Sequence, residues 1–494
     1  MVRYSQHEEG RVQVPLLEGS QTSDSPSPSM SEVKLKWLVW CLVGILVLTF
    51  ETGIAIRTAP LIASYKEILC TKTIQHDMKS PAHCTKDHTV TSELAMILGV
   101  SQLLECLPVL LLSGIYGSMA DKYGPRPILF LSYLGLVLSS AWVTGVIWLA
   151  PMIPLRLVFI GPIFTVIGGG PSVPISILMT SAVAVAPSIQ KVSIFSFIHG
   201  TALIAVILGF GLGSAMMIPM GNYPPLLAGL VLMCLALSLS LLLPISKPMA
   251  RLSSTVSEET SAHARPDAST PLMHKISIGK QTMSKSFDTL WHMRGVIPLL
   301  FTSFLCMLGQ NVQILILQYM PERFGIGFAQ ANTFNILNST VNLFVLFIAL
   351  PLVGTLVLRS GSYNAFHKDM ILALSSSLLL FLGALVLGIA PDIKLAVIGI
   401  IIFGTGIGLS SLLRSIFMEL FPPEHAAFAI TLISTVKNLG STFSGPVYSY
   451  TFALSLNLGG RFQGLPFFVS AICFVIGGVL LIATKKKLID RPEK

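Results

Sequence analysis

The sequence predicts an all-α membrane protein with twelve transmembrane helices in two six-helix halves, and three observations carry that prediction. The 494 residues are 53% hydrophobic and 11% charged, with a mean hydropathy of +0.76. Soluble domains carry about 25% charged residues. Apolar runs of about 20 residues recur, each long enough to cross a bilayer as a helix. The runs are continuous rather than alternating at every second residue, which selects helices over the strands of a membrane barrel.

Taken in order, the chain opens on the Ser/Pro-rich, charge-mixed stretch EEGRVQVPLLEGSQTSDSPSPSMSEVK. That composition predicts a disordered segment over residues 1–36. No cleavable signal precedes the first oily run, so the first helix reads as a retained anchor. Spans are expected to begin near Trp37, Glu93, Ile128, Leu155, Val192, Leu226, Val296, Ala331, Met370, Ala396, Ala427 and Leu465. The polar segment 247–294, containing RLSSTVSEETSAHARPDAST, has linker composition and no apolar period. It separates one half (37–246) from the other (295–484), and a tail, 485–494, ends the chain.

Lys and Arg set the orientation. With an even number of spans both termini share a side with Lys122, Arg126, Lys191, the linker, Arg359, Lys368 and the tail KKKLIDRPEK. That side is expected to be cytoplasmic. The net charge of +9 is distributed as flanks of apolar runs, not as a basic face interleaved with aromatics, which argues against nucleic acid as a partner. The longest outer loop, about Ser64 to Ser92, holds Cys70 and Cys84, which either form a disulfide or remain two thiols. The other five cysteines fall in apolar runs as small packing residues. His76, His83 and His88 gather in the same loop with Asp77 and Asp87, at spacings that fit no known metal site, so no metal or cofactor is expected.

Between the second and third spans lies YGSMADKYGPRP. Gly117 permits close helix approach. Asp121 can cap a following helix or meet a neighbour's first turn. Gly124 allows a left-handed turn, and Lys122 and Arg126 supply charge on the expected cytoplasmic face. A loop that merely sets topology is the alternative reading.

The spacing Gly117-x-x-x-Asp121-Lys122-x-Gly124-x-Arg126, in this loop of a six-plus-six chain, resembles the signature of the major facilitator superfamily. The resemblance extends from about Lys36 to Thr484. It implies a latch between the halves in which Asp121 and Arg126 take part. Pro125 stands where the family usually has a basic residue. RTAPLIASYKEILC, GGGPSVP, ILQYMPERFGIGFAQA and LGGRFQGLPFFV look like a fungal group of facilitators with many drug or secondary-metabolite exporters, distantly like the proton-coupled folate transporters. The antiporter signature of span five is poorly matched: VILGFGLGSAMM has the glycines without the proline.

Ionisable residues within spans are expensive and point to function. Glu51 is expected in the outer part of span one, facing either a functional site or a wet vestibule. Arg57 lies nearer the exit, and Arg414 and Glu419 close span ten; all three can snorkel to an interface. His199 in span five is either a packed histidine or a proton carrier. Glu105 and Lys437 lie near mid-depth of spans two and eleven. Those spans face each other in the resembled fold, so a Glu105–Lys437 ion pair is expected. The amides Gln310, Asn311 and Gln313 of span seven and Asn335 of span eight either bind an uncharged polar compound or act as interhelix glue. Gly168 to Gly170, ahead of Pro171 and Pro174, read as close packing with a kink rather than a phosphate cradle.

No Walker-type sequence appears, so ATP is not the expected energy source. The resemblance implies a secondary transporter of the plasma membrane, working as a monomer and exporting a small organic substrate in exchange for protons. The alternatives are a proton-coupled uptake permease for a vitamin-like acid and, further off, a membrane-embedded enzyme.

Overall fold

The computed structural model describes residues 30–77, 87–150, 152–184, 191–244, 295–359, 365–420 and 426–489. The expected linker 247–294, most of the first 36 residues and Cys84 lie outside them. Among the described residues every regular element is helical. Eleven helices among the described residues are long and apolar enough to cross a membrane.

The first half begins with α1 (Met30–Asp77), which starts before the apolar run and continues well beyond it. Next comes α2 (His88–Tyr123), capped by the Asp87 side chain, which accepts from the Thr89 backbone N–H. α3 (Pro125–Trp148) begins after one residue, Gly124, at φ 92°. Pro125 is the first residue of α3, where its fixed φ suits a helix start and its missing N–H costs nothing. Pro125 is therefore accommodated without cost as a helix-start residue.

Span four is broken. A 3-10 turn (Leu155–Ile160) leads into α4 (Gly161–Thr165), a second 3-10 turn (Val166–Gly168), and α5 (Ser172–Ala184). Gly169 and Gly170 lie at φ 78° and 90°, where residues with a Cβ are strained. A break in hydrocarbon leaves carbonyls that cost several kcal/mol each if unpaired. Here Tyr116 Oη donates to the Ile167 and Val166 carbonyls at 2.7 and 3.0 Å, and Ser132 Oγ donates to that of Gly168 at 2.8 Å. The expected kink and close packing are both present. α6 (Lys191–Met220) and α7 (Tyr223–Ser240) complete this half.

The second half repeats the plan with more breaks. α8 (Val296–Gln310) and α9 (Ile316–Phe324) are joined by a 3-10 turn over Asn311–Leu315. α10 (Phe328–Phe344) runs through a π turn into α11 (Leu350–Arg359). α12 (Ala365–Ile389) is next, then α13 (Ile393–Thr405) and α14 (Leu409–Glu419), with a break at Gly406. α15 (Ala426–Leu458) is 33 residues long and carries Lys437 and several Ser, Thr and Asn residues. At that length it can cross as span eleven, in addition to the eleven helices counted above. α16 (Leu465–Ile489) is the final helix.

Phe50 stacks on Tyr133 in the first half, ring centres 4.3 Å apart. Tyr319, Phe403, Phe417, Phe452, Phe467 and Phe474 are fully buried in the second. Large apolar residues such as Trp148, Ile218 and Val231 are exposed on the outside, as a lipid solvent requires.

The halves meet unevenly. Toward the end bearing His88, α2 packs on α15 so tightly that a Cβ on Gly99 would overlap Ser449. Gln102 Nε2 donates to Ser444 Oγ at 3.1 Å, and Asn332 of α10 donates to Ser214 Oγ and the Phe210 carbonyl of α6. Toward Gly124 the contact is lost: Gly114 and Gly117 have nothing within 4 Å of a Cβ position, and Ile115 is exposed. The molecule is closed between its halves at the His88 end and parted at the Gly124 end.

Candidate functional site

A cavity of about 410 Å³ lies within the first half and is closed by span seven of the second. Its size suits a small organic ligand. Arg57, Thr58 and Tyr65 of α1, Ser101, Gln102 and Glu105 of α2, Ser140 of α3, and Gln318 of α9 supply its polar walls. Aliphatic residues of α1 to α3, span four and span seven supply the rest. Two broken spans border it, and irregular backbone at membrane depth is tolerated where it lines a cavity or is buried in protein.

Arg57 does not snorkel. It is 6% exposed, and α1 continues twenty residues beyond it to Asp77, about 30 Å of helix. Its neighbours Ser140 and Thr144 lie eight and four residues from the far end of α3 at Trp148, so Arg57 is in the outer part of span one, as expected. Its Nη2 donates to the Ser140 carbonyl and to Thr144 Oγ1, both at 2.9 Å.

Glu105 faces the same cavity and makes no ion pair among the described residues. The expected Glu105–Lys437 bridge is not formed. Lys437 Nζ instead donates to the Ser410 carbonyl of α14 at 3.0 Å. The register explains why. Gln102 meets Ser444 and Cys106 meets Ser441 and Thr442 across the α2–α15 contact. Lys437 lies about one turn farther toward the parted end, where α2 has left α15.

Glu51 also departs from expectation. It lies beside Tyr133, which is eight residues from the start of α3 at Pro125, or about 12 Å of helix. Glu51 is thus in the half nearer Gly124, not the outer part of span one. His199 is exposed on α6, next to Gly200, which abuts the Phe347 ring of span eight.

In the turn, Gly124 N–H bonds to the Ala120 carbonyl and Lys122 Nζ sits 5.2 Å from the Tyr123 ring centre. Asp121 caps no helix, because Gly124 occupies the N-cap position of α3. Asp121 and Arg126 form no ion pair among the described residues. The close approach expected at Gly117 is absent in this conformation.

None of the four candidate amides lines the 410 Å³ cavity. Gln310 Nε2 donates to the Ile407 carbonyl freed by the break in span ten, at 3.2 Å. Asn311 Nδ2 donates to Ser441 Oγ and Ser444 Oγ at 2.9 Å each. Gln313 Oε1 accepts from Asn338, and Asn335 Nδ2 donates to Asn332 Oδ1. The amide of span seven that reaches the cavity is Gln318, farther along the span. Cys70 is disulfide-bonded. No group of His, Cys, Asp and Glu among the described residues could hold a metal ion.

Sequence reasoning did not find the closed end. Glu322 of α9 is there, with Lys66 Nζ at 3.4 Å, His88 Nδ1 at 3.2 Å and Thr91 Oγ1 donating at 2.9 Å. The available signal was a lone carboxylate in the apolar run ILQYMPERFGIG, opposite the lysines of the outer loop.

Two six-helix halves, broken spans and a cavity in the membrane-embedded region define a polytopic helical protein of transporter architecture. The chain belongs to the Major Facilitator Superfamily, whose profile matches residues 78–445. Its relatives include the MFS efflux pump atnC of Emericella nidulans, 28% identical over 97% of this chain and 94% of that one. The efflux pump ustT of Aspergillus flavus is 25% identical over 85% of this chain and 83% of its own. Among solved structures, a D-xylose-proton symporter aligns with a TM-score of 0.61 at 16% identity, covering 91% of this chain and 97% of that chain. The nucleoside transporter NupG aligns with a TM-score of 0.59 at 13% identity, covering 92% of this chain and all of that chain. These structural likenesses concern the fold.

Proposed function

We propose that the chain is a proton-coupled exporter of a small organic compound, working as a monomer in the plasma membrane by alternating access. The observation that carries this reading is the uneven meeting of the halves. They are tied at the Glu322 end and parted at the Asp121 end, with a ligand-sized cavity between those levels. With the basic loops on the cytoplasmic side, this is the inward-facing stage, ready to load from the cytoplasm. The names of the relatives supply the outward direction.

In this reading Gly117, Asp121, Lys122, Gly124 and Arg126 close the cytoplasmic end in the opposite stage. Glu105 is the proton-coupling group, because its carboxyl faces a largely apolar cavity with no cation bonded to it. Glu51, His199 and Lys437 stay outside that role, since none of them lines the cavity.

The test uses everted membrane vesicles from a pump-deficient yeast expressing the chain. A growth screen first identifies compounds whose toxicity the chain relieves. An acid-inside gradient should then drive a labelled compound into the everted vesicles, and Glu105→Gln should uncouple uptake from the gradient. Gradient-independent flux in the wild type, or flux only in the opposite direction, overturns the proposal.

A further inference from the structure

Arg57 carries a charge that nothing in its surroundings answers. Nη2 spends both of its N–H groups on Ser140 and Thr144. The partner of Nη1 is the Met233 thioether at 3.8 Å, a weak acceptor. No carboxylate among the described residues pairs with it. An unpaired guanidinium in an apolar interior is strongly disfavoured, and this one is 6% exposed and forms part of the cavity wall.

Two further wall atoms lack partners. Ser101 Oγ and Gln318 Oε1 are buried without a hydrogen bond. Buried polar groups are normally satisfied, so three separate elements of the wall leave capacity for a ligand. Glu105, the fourth polar element, comes from α2, whereas Arg57 comes from α1. Both line the cavity on either side of Tyr65 without forming a salt bridge to each other.

We propose that Arg57 and Glu105 are the two poles of a site for an amphoteric organic compound, whose carboxylate docks on Arg57 and whose amino group docks on Glu105. This rests on the transport reading above and names its substrate class. The apolar walls receive the body of the molecule, and Ser101 and Gln318 bond its polar backbone. The same arrangement gives exchange a physical basis: the Glu105 carboxylate holds either the substrate's ammonium or a proton, so the empty carrier returns protonated. Arg57 stays charged through the cycle.

The test is binding to purified full-length protein in nanodiscs. Probes are hydrophobic dipeptides, aromatic amino acids and aminobenzoates, each beside its carboxamide and its N-acetyl derivative. At least one parent compound should bind the wild type, with either masking weakening it about tenfold or more. Arg57→Met should abolish the preference for carboxylate over carboxamide, while Arg57→Lys keeps part of it. Glu105→Gln should abolish the preference for amine over N-acetyl amine.

Equal binding of parents and masked forms overturns the inference, as does a preference that survives in Arg57→Met, or absence of binding by every parent. Vesicle transport of the compounds found in the growth screen separates the two failures. Gradient-driven flux that ignores both poles leaves the exporter standing without the amphoteric site. Absence of gradient-driven flux removes the exporter itself.

Discussion

Glu322 and Lys66 join the two halves at 3.4 Å, and the Thr91 hydroxyl donates to the same carboxylate oxygen at 2.9 Å. One side chain of α9 thus binds α1 and α2 together. It is nearly sealed from solvent, at 7% exposure. Glu322→Gln removes the charge and keeps the shape. Each hydrogen bond to a charged group is worth about 1.5–3 kcal/mol, so the equilibrium should shift about tenfold or more toward opening at this end. Alkylation of Ser101→Cys by an impermeant reagent from the outer side should rise accordingly. Unchanged labelling would show that the Glu322 cluster does not hold this end shut.

Exchanging the charges of Glu105 and Lys437 should rescue nothing. Lys437 is anchored on the Ser410 carbonyl, and Glu105 faces a cavity in the other half. The single variants Glu105→Lys and Lys437→Glu should each lose transport for separate reasons. The combined variant should be no better than the worse single one, measured by flux at matched expression. Recovery in the double variant would restore the ion pair that the register argues against.

Patterning carries the fold, because hydrocarbon demands long continuous apolar runs and leaves few other solutions. The twelve starts, the kink at Gly168 to Gly170 and the tight turn at Gly124 are all legible that way. Depth is less so. Counting from an assumed span length puts Glu51 too near the outer face: it lies beside Tyr133, eight residues from the start of α3, whereas Arg57, six residues on, is where the count puts it. Direction around a helix is less legible still. Gln313 and Gln318 read alike in sequence, yet Gln313 meets Asn338 and Gln318 lines the cavity. The breaks in spans four, seven and ten rotate the residues beyond them, and a single helical period cannot describe a rotated segment.

Gly168 and Gly117 should answer the same substitution differently. A Cβ on Gly168 would overlap Ser132 Cα and lie 2.9 Å from the Leu131 carbonyl oxygen, both backbone atoms that cannot swing aside. Gly168→Ala should cost about 1–3 kcal/mol through overpacking and lower the melting temperature in detergent. Gly117→Ala meets nothing within 4 Å in this conformation and should melt like the wild type. If the halves close on Gly117 in the opposite stage, it should nonetheless slow transport. Wild-type flux in Gly117→Ala would remove this glycine from the latch.

Asn311 and Gln318 give the sharpest separation between glue and ligand contact. Asn311 donates to Ser441 and Ser444, joining span seven to α15. Interhelix hydrogen bonds in membranes are worth about 0.6 kcal/mol on average, so Asn311→Ala should lower thermal stability by about 1 kcal/mol and leave KM for the exported compound near its wild-type value. Gln318 Oε1 is buried with no partner at all. Replacing an unsatisfied buried polar atom by an apolar group of similar shape is close to neutral or stabilising, so Gln318→Met should melt no lower than the wild type. If that oxygen is reserved for substrate, KM should rise about fivefold or more, the loss of one hydrogen bond of about 1 kcal/mol. A stability loss in Gln318→Met with unchanged KM would reverse the assignment and make Gln318 a structural amide like its neighbours.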